Sequence, residues 1–443
     1  MRLIQTIKNI FKIEDLRARL IYTFSIILLY RFGKYITLPG IDPSQLQGLR
    51  DQTSSGIMGL LDMFSGGAFS QASVFALGIM PYISASIVVQ LLGIVFPYFQ
   101  KLQKEGESGR RKMNQYTRYL TVAILILQAP TYLVNLYAQL PASAFILKGT
   151  FFTVSSVIIL TAGTMFVMWL GERITDKGIG NGISLIIMIG IVARMPANFV
   201  FEAGTRLGGA GGAIALIIEI VLLFVVVLGT VLLVQGTRRV PVQYARRIIG
   251  NKQYGGVRQY IPLKVNAAGV MPIIFAQAIM MLPIIIAGYA TNSASGFVVA
   301  FSNMYGFWYN LVTAILIVLF TYFYTAITIN PVQMAEDMKK NGGFIPGIKP
   351  GRKTVEFFDM IMSRITLPGS IFLAIIAVLP AVAVQAGISP QFAQFYGGTS
   401  LLILVGVILD TLQQIESHLL MRHYDGLMKS GRVKGRSGAV TSI

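Results

Sequence analysis

The chain has 443 residues, of which 54% are hydrophobic and only 12% charged, and it carries a formal net charge of +19. That apolar content exceeds what a water-soluble globule needs and is typical of a protein built from membrane-spanning helices. The chain contains no cysteine, which excludes disulfides and thiolate metal sites. The excess positive charge predicts an anionic partner: acidic lipid is the simplest candidate, and RNA or an acidic protein surface are the alternatives.

Ten apolar runs follow one another along the chain and predict an all-α membrane protein with ten transmembrane helices. Most runs reach the ~20 residues that a helix needs to cross the bilayer, and a helix satisfies its own backbone hydrogen bonds in lipid. The fifth run is the weakest, because Arg194 and Pro196 interrupt it. Nothing at the N-terminus resembles a cleaved signal peptide, so we expect the first span to remain. The predicted spans are 18–37, 73–96, 117–137, 151–171, 183–201, 213–234, 268–288, 308–328, 366–386 and 398–420.

The polar segments between these runs alternate in charge. Every second segment, counted from the N-terminus, is basic, and together these segments hold 31 of the 37 Lys and Arg residues. Because basic segments resist translocation, both termini are predicted to be cytoplasmic, an N-in/C-in arrangement. The basic segments are 1–20, 97–118, 171–182, 236–265, 331–364 and 421–443.

Ten spans divide into two halves of five, which would enter the membrane from opposite sides as inverted repeats. The predicted halves are 1–202 and 213–443, joined by the glycine-rich segment 203–212. Glycine permits backbone angles that other residues avoid, so this segment is either a flexible external loop or a hinge between the halves. The repeat is inferred from topology alone.

Two basic connections, 235–266 and 329–365, are longer than the joining of neighbouring helices requires. Both mix Tyr, Phe, Pro and Gly with the charge, which suits docking to a ribosome or a protein motor. A solvated basic loop would explain the charge but not the length. We therefore expect docking loops at these two places.

The predicted external connection 38–72 contains a short apolar stretch, GIMGLLDMFSGGAF, at 56–69. It is too short to span the membrane and too apolar to lie freely in water. It is either an interfacial helix or a re-entrant segment folded into a cavity between spans, where irregular backbone is tolerated. Periodicity does not choose between the two.

Motifs of enzyme chemistry are missing. The chain lacks the G-x-x-x-x-G-K-[ST] nucleotide loop, and the glycines of 178–182 predict a turn at a helix start rather than a dinucleotide loop. His418 and His423 are the only histidines, too few for a typical metal cluster. Glu219 and Asp410 lie at membrane depth, where ionisable residues are functional candidates by default. Arg31, Lys34 and Arg194 lie near span ends. We expect these five residues to be partners of neighbouring helices or side chains that snorkel at span ends.

Six segments carry longer patterns. They are FSGGAFSQASVFALGIMPYISASIVVQLL (64–92), KEGESGRRKMNQYTRY (104–119), MWLGERITDKGIGNGIS (168–184), IPLKVNAAGVMPIIFA (261–276), FIPGIKPG (344–351) and FYGGTSLLILVGVILD (395–410). In this order they resemble the SecY family, the channel subunits of the bacterial protein translocase. The resemblance implies a ten-helix channel of two pseudo-symmetric halves that opens across the membrane and sideways into lipid.

The resemblance also implies a ring of six apolar residues at the waist of the pore. Such a ring forms a narrow constriction that gates by dewetting, and it has no hydrogen-bond preference for any substrate side chain. On its own, each of these residues would be interpreted as a core or lipid-facing isoleucine. The ring maps to Ile79, Ile83, Ile183, Ile187, Ile274 and Ile403.

Two further sites are implied. The stretch 54–72 falls where the family carries its plug, a short helix closing the external funnel, and this favours the re-entrant interpretation. Ser84, Gln128 and Asn266 match the polar cluster of the lateral gate, where interhelical hydrogen bonds are worth ~0.6–2 kcal/mol each. Ordinary contacts between helices would look the same. The plug residues are Leu60, Leu61, Met63, Phe64, Gly66 and Gly67.

The two long loops correspond to the family's docking site for the ribosome or the SecA motor. Arg246, Arg247 and Lys252 lie in the first loop, and Lys349 and Arg352 in the second. Most family members carry arginine where this chain has Lys349. Lysine lacks the planar fork of arginine, so either charge alone suffices or Arg352 takes over.

The implied protein is the central pore-forming subunit of a protein-conducting channel in the bacterial cytoplasmic membrane. It is a passive conduit, not an enzyme, and it uses no cofactor. The implied partners are the SecE and SecG subunits, the SecA ATPase, the ribosome, signal sequences, preproteins and anionic lipids, with SecDF and YidC as further candidates. The inverted repeat alone would also fit an ion-coupled secondary transporter, and an insertase without an aqueous pore is a third interpretation.

Overall fold

The structure is a computed structural model. The described residues are 13–46, 48–49, 59, 62–147, 149–209, 212–244, 247–249, 252–254, 258–277, 279–280 and 303–429.

The described chain is mainly helical, which confirms the predicted fold class. Seven of its helical stretches are long and apolar enough to cross a membrane, with Gly182–Leu207 and Phe307–Lys340 each counted as one, or eight if the bent pair Met80–Gly93 and Pro97–Gln103 is one span. The count of ten spans stays a prediction, because the first predicted span is not among these stretches and residues 281–288 of the seventh lie outside the described residues. The orientation of the spans stays a prediction as well. The helices are α1 Glu14–Gly33, α2 Met80–Val95, α3 Pro97–Lys104, α4 Glu107–Gln139, α5 Thr150–Lys177, α6 Gly182–Val192, α7 Met195–Leu207, α8 Gly212–Gln235, α9 Phe307–Thr328, α10 Pro331–Lys340, α11 Arg352–Gln385, α12 Pro390–Ala393 and α13 Gly398–Lys429.

Several helix ends differ from the predicted ones. α4 and α11 begin 10 or more residues before the predicted spans, because helices continue past the apolar stretch that hydropathy detects. The fifth span is two helices, α6 and α7, separated at Ala193 and Arg194, where the sequence had predicted an interruption. Of the predicted segment 203–212, residues 203–207 belong to α7. Its role as a loop or a hinge stays a prediction.

The second span was predicted to begin at residue 73, and this start is wrong. Residues 73–79 form turns, and α2 begins only at Met80. Pro81 occupies the first turn of the helix, where its missing N–H costs nothing. Gly78 has φ +54°, a left-handed conformation that interrupts a helix and favours glycine.

The chain divides into two compact units. The first comprises Leu60–Ala193 with the described parts of Met1–Thr53 and Val407–Ile443. In it α2 packs on α4, α4 on α5, and α5 on both α1 and α6. The α5–α6 approach is close, because a Cβ atom on Gly182 would lie 2.0 Å from the Gly171 carbonyl oxygen. Small residues allow such backbone contact between helices in membranes.

The second unit comprises the described parts of Ser54–Gly59 and Arg194–Gly406. Its principal helix pair is α9 and α11, which pack along a shared apolar core. The fully or nearly buried residues of that core are Leu233, Ile273, Ala276, Ile317, Leu373, Ala374, Ile376 and Leu402.

The two connections predicted as loops are folded, so their description as loops was wrong. Residues 235–266 form β1 Thr237–Tyr244, β2 Arg247–Ile249, β3 Lys252–Tyr254 and β4 Arg258–Lys264, and residues 329–365 contain α10, β5 Gly343–Phe344 and the start of α11. β1 pairs antiparallel with β4 and with β5, giving the sheet order β4-β1-β5. Pairing satisfies backbone groups that a long loop would leave to water.

A separate hydrophobic core supports this sheet. It joins inward-facing strand residues to α10 and α11, and Phe358 is fully buried in it. The two connections therefore form one folded element. The buried members of this core are Val240, Val242, Leu263, Ala335, Met338, Ile345, Phe358 and Met362.

Candidate functional site

The described part of the predicted plug, residues 62–72, is hereafter called the plug segment. Residues 62–64 are helical, and the rest of the segment consists of turns. The helical turn ends where Gly66 (φ +66°) and Gly67 (φ +88°) adopt left-handed conformations, as glycine commonly does at helix ends. The Gly67 N–H donates to the Asp62 carbonyl at 2.7 Å. Leu60 and Leu61 lie outside the described residues, whereas Met63, Phe64, Gly66 and Gly67 are all buried.

Side chains within the plug segment satisfy its buried backbone. The Asp62 carboxylate accepts a hydrogen bond from the Ser70 N–H at 2.8 Å. The Ser65 hydroxyl donates to the Asp62 carbonyl at 3.0 Å and accepts from the Phe69 N–H at 3.1 Å. Asp62 is 0% exposed. Buried irregular backbone requires such partners, and here the segment supplies many of its own.

Helix α1 contributes two more hydrogen bonds to the plug segment. The Tyr30 hydroxyl donates to the Ser65 carbonyl, and Arg31 Nη1 donates to the Gly66 carbonyl, both at 3.1 Å. Sequence reasoning had placed Arg31 only near a span end and had missed Tyr30. The available signal was a Tyr-Arg pair at the end of an apolar run.

Helices α4 and α6 complete the surroundings of the plug segment. The Tyr132 hydroxyl of α4 donates to the Phe69 carbonyl at 2.9 Å, and the two rings meet edge to face at 4.8 Å. A Cβ atom on Gly66 would lie 2.9 Å from Cα of Gly190 on α6, so the backbones touch. Neither Tyr132 nor Gly190 carries a local sequence signal. This burial favours a re-entrant segment over an interfacial helix.

The first two predicted ring residues, Ile79 and Ile83, follow a turn that contacts the plug segment. Ile79 caps α2 rather than lying inside it, which corrects its placement in the second span. It is 1% exposed, and its carbonyl accepts from the Ile83 N–H at 3.1 Å. A Cβ atom on Gly78 would lie 3.2 Å from Cα of Ser65. The turn before α2 therefore packs on the plug segment.

Ile183 and Ile187 lie on α6, whose first turn is capped by Asn181. The Asn181 side chain accepts from the N–H groups of Ile183 at 3.1 Å and Ser184 at 3.3 Å. Such capping satisfies N–H groups that have no partner within the helix. Ile187 is buried and Ile183 half-buried, with Gly171 of α5 leaving room for its side chain. The cap thus fixes where α6 begins, and with it the positions of Ile183 and Ile187 along the helix.

Ile274 and Ile403 lie in the second unit, and both are half-buried. Ile274 belongs to the helical stretch 271–277, and Ile403 lies in the second turn of α13. The structure therefore brings four of the six residues into one unit and two into the other. The assignment of the six to a single ring stays a prediction.

The three predicted gate residues have different environments. Ser84 on α2 is half-buried, and Gln128 on α4 is exposed. Asn266, just after β4, is half-buried, and its side-chain Oδ1 has no hydrogen-bond partner among the residues that the structure describes. A buried amide oxygen without a partner is costly. Asn266 is thus the predicted gate residue whose buried side-chain oxygen lacks a hydrogen bond within the described part of the chain.

The predicted docking residues border the β4-β1-β5 sheet or its neighbouring hairpin. Arg247 lies in β2 and Lys252 in β3, and Arg246 lies outside the described residues. Lys349 is exposed in the turn before α11, where its carbonyl accepts from the Thr354 hydroxyl at 3.1 Å. Arg352 is 93% exposed, with Nε 3.3 Å from Glu356 Oε1. Exposed pairs of this kind contribute little to stability, so both cations are accessible to a partner.

Together these features define a polytopic helical membrane protein with a buried, mostly non-helical segment and a folded β-sheet element whose sequence is basic. Solved structures share this fold. One is a structure of a SecY protein whose plug domain stabilises the closed state of the translocation channel. It matches with a TM-score of 0.61 and 17% identity, over 90% of this chain and 92% of that chain. Another is Sec61 in the canine ribosome–channel complex of the endoplasmic reticulum (TM-score 0.57, 17% identity, 90% and 92% coverage).

Sequence comparison identifies the family. The SecY family model matches residues 73–412. The protein translocase subunit SecY of Corynebacterium glutamicum is 43% identical over 438 residues, covering 95% of this chain and 98% of the relative. The chain belongs to the SecY family. It is a multi-pass protein of the bacterial cytoplasmic membrane, and the alternative of an ion-coupled secondary transporter is wrong.

Proposed function

We propose that this chain is the pore-forming subunit of a protein translocase, which moves unfolded preproteins across the cytoplasmic membrane and releases membrane segments laterally into lipid. The observation that carries this proposal is the plug segment. Its irregular backbone is buried among α1, α4 and α6 and packs on the turn that carries Ile79. Non-helical backbone at membrane depth is tolerated only inside protein or beside an aqueous cavity, which is where a channel plug lies.

The apolar ring would supply the seal at the waist. Ile79, Ile83, Ile183, Ile187, Ile274 and Ile403 carry no polar side-chain atom, so a narrow constriction between them would exclude water and ions. A passing polypeptide would meet a surface without hydrogen-bond preference. Support for the ring comes from the contact between the Gly78–Ile79 turn and the plug segment in the first unit.

Lateral release would occur beside Ser84, Gln128 and Asn266. Within the described residues the Oδ1 of Asn266 has no hydrogen-bond partner, which supports this role, since an unmet hydrogen bond lowers the cost of leaving the present arrangement. A signal sequence of a preprotein would intercalate there.

The folded β4-β1-β5 element would dock the partners that supply energy. The exposed cations Lys349 and Arg352, with the basic sequence of the β2–β3 hairpin, suit the acidic surface of a SecA-like ATPase or ribosomal RNA. SecE-like and SecG-like subunits and anionic lipids would complete the complex. The Sec61 structure found with a ribosome supports the ribosome as a partner. In this proposal the chain itself catalyses no reaction.

The test is reconstitution of the chain with SecE-like and SecA-like proteins in vesicles, with protease protection of a preprotein as the translocation assay and planar-bilayer conductance as the leak assay. We expect ATP-dependent protection and little resting conductance. Changing Ile83 and Ile274 together to Ser should raise resting conductance while translocation persists, and the matched Ile79→Val variant should remain tight because volume and polarity are nearly kept. Absence of protease protection with every partner present would overturn the proposal. A resting conductance of the Ile83/Ile274 double variant as low as that of the parent would show that the ring assignment is wrong.

A further inference from the structure

A buried ion cluster lies in the second unit where α7 ends and α8 begins. Arg206 Nε lies 3.1 Å from Glu202 Oε1, and Arg206 Nη2 lies 2.6 Å from Glu219 Oε1. The side chains are 12%, 1% and 8% exposed, for Arg206, Glu202 and Glu219 respectively. The expectation that Glu219 pairs with a neighbouring helix is therefore met by Arg206. Charges are buried to this degree only when they are paired.

The same cluster binds the segment 386–397, which connects α11 to α13 and is hereafter called the connector. Arg206 Nη2 donates to the Gly387 carbonyl at 2.7 Å. The Ser389 N–H donates to the second oxygen of Glu202 at 3.1 Å, and the Asn198 amide donates to the Gln391 carbonyl at 3.1 Å. Side chains of α7 thus replace the backbone partners that the connector lacks.

The end of the connector is fastened as well. The Tyr396 hydroxyl donates to the Glu219 carbonyl at 2.8 Å, and burial, with the nearby carboxylates of Glu219 and Glu202, raises the pKa of the Tyr396 phenol. Tyr396 and Phe392 are 0% exposed, with ring centroids 5.8 Å apart. A Cβ atom on the following Gly397 would lie 2.1 Å from the carbonyl oxygen of Ile376 on α11. The connector therefore enters α13 from a rigidly held position.

We propose that Arg206 is a positioning residue of the pore, which fastens the connector to α7 and α8 and thereby sets the start of α13, the helix that carries Ile403. This rests on the proposed function, in which Ile403 belongs to the ring. α13 begins at Gly398, so Ile403 lies only ~8 Å along its axis at 1.5 Å per residue. Displacement of the connector would move Ile403 and open the seal.

The three charges of the cluster have unequal roles. Arg206 is the only member that joins α7, α8 and the connector at once. Its removal leaves two buried carboxylates without their shared cation, a strongly destabilising change. Glu219→Gln keeps an oxygen that accepts from Arg206 and leaves the Arg206–Glu202 pair intact. It is therefore the matched mild variant.

The experiment uses the complete reconstituted complex and exploits the absence of cysteine from the chain. Ala393 of α12 is 0% exposed, so Ala393→Cys gives a buried thiol whose maleimide labelling reports connector opening. Because loss of one partner from a buried ion pair is costly, we expect Arg206→Met to speed labelling at least ~10-fold and to raise resting conductance. Glu219→Gln should leave the labelling rate and the resting conductance near the parent values. Arg206→Lys should give values between those of the parent and Arg206→Met.

The two readouts decide the proposal together. Slow labelling in Arg206→Met, or fast labelling with unchanged conductance, would overturn it. Should Arg206→Met fail to accumulate, Glu202→Gln, which weakens the bond to Ser389, provides the same two readouts. Failure of the unaltered complex to translocate polypeptide would count against the proposed function, while labelling would still show whether Arg206 fastens the connector.

Discussion

The plug segment and the β4-β1-β5 element are both non-helical insertions between spans, but they are stabilised in opposite ways. Besides the packing of its buried side chains, the plug segment is held by several individual hydrogen bonds, among them those from the hydroxyls of Tyr30 and Tyr132 to its carbonyls. The β4-β1-β5 element has a hydrophobic core of its own and carries its charges on the outside. Hydrogen bonds can break one at a time, whereas a packed core gives way as a whole. Under the proposed function, the first arrangement suits a plug that moves and the second suits a docking platform.

The comparison is tested most strongly at Phe358, the fully buried ring beneath the docking sheet. Phe358→Ala should lower the free energy of unfolding of that element by ~3–5 kcal/mol, the usual cost of such a cavity. Limited proteolysis of the β1–β4 hairpin measures it. The matched variant is Phe344→Ala in β5, whose ring is 37% exposed. Equal sensitivity of the two variants would argue against a packed core.

In the plug segment a single backbone contact should matter. Gly66→Ala places a methyl group 2.9 Å from Gly190 Cα at φ +66°. Left-handed backbone alone costs a non-glycine residue ~1–2 kcal/mol, and overpacking adds ~1–3 kcal/mol. We expect a displaced plug segment and raised resting conductance.

The control for Gly66 is Gly106→Ala, at φ +70° with no heavy atom within 4 Å of the new Cβ. It carries the backbone penalty without the contact. Resting conductance as low as the parent in Gly66→Ala, or an equal effect of both variants on thermal unfolding, would show that contact with Gly190 does not hold the plug segment.

A smaller effect is expected at Tyr132. Tyr132→Phe keeps the ring contact with Phe69 and removes only the hydrogen bond to its carbonyl. A hydrogen bond of this kind makes a net contribution of ~0.5–1.5 kcal/mol to stability. We therefore expect opening of the plug segment to become several-fold more frequent without misfolding. Single-channel open probability measures the change. An open probability identical to that of the parent would show that Tyr132 holds the plug segment by its ring contact with Phe69 and not by its hydrogen bond.

The smallest effect on stability, with a large effect on function, is expected at Lys349. Lys349→Glu alters an exposed side chain and should change unfolding by less than ~0.5 kcal/mol. Charge reversal should nevertheless block SecA-driven export, and raised salt should weaken the parent's docking. Lys340→Glu, 72% exposed in the same connection, is the control. Normal export by Lys349→Glu would transfer the docking role to Arg352.

The sequence by itself determined the membrane class, the position of most helices and the family. Hydropathy is a local property, and a run of ~20 apolar residues has few alternatives to a spanning helix. The same reasoning detected the interruption at Arg194, and the family motifs predicted a plug at 54–72. It misjudged the helix ends at Met80 and Arg352, because local apolarity does not report where capping or a polar extension ends a helix.

Only the tertiary structure decided which distant residues meet. Gln243 of β1 pairs with Phe344 of β5, so two connections about a hundred residues apart become one sheet. Arg206 reaches Gly387 across 181 positions, and Tyr132 reaches Phe69 across 63. A local pattern of apolar and polar residues sets the face of a helix but not its partner. The partner follows from the packing that satisfies buried charges and backbone groups, and this requires the whole fold.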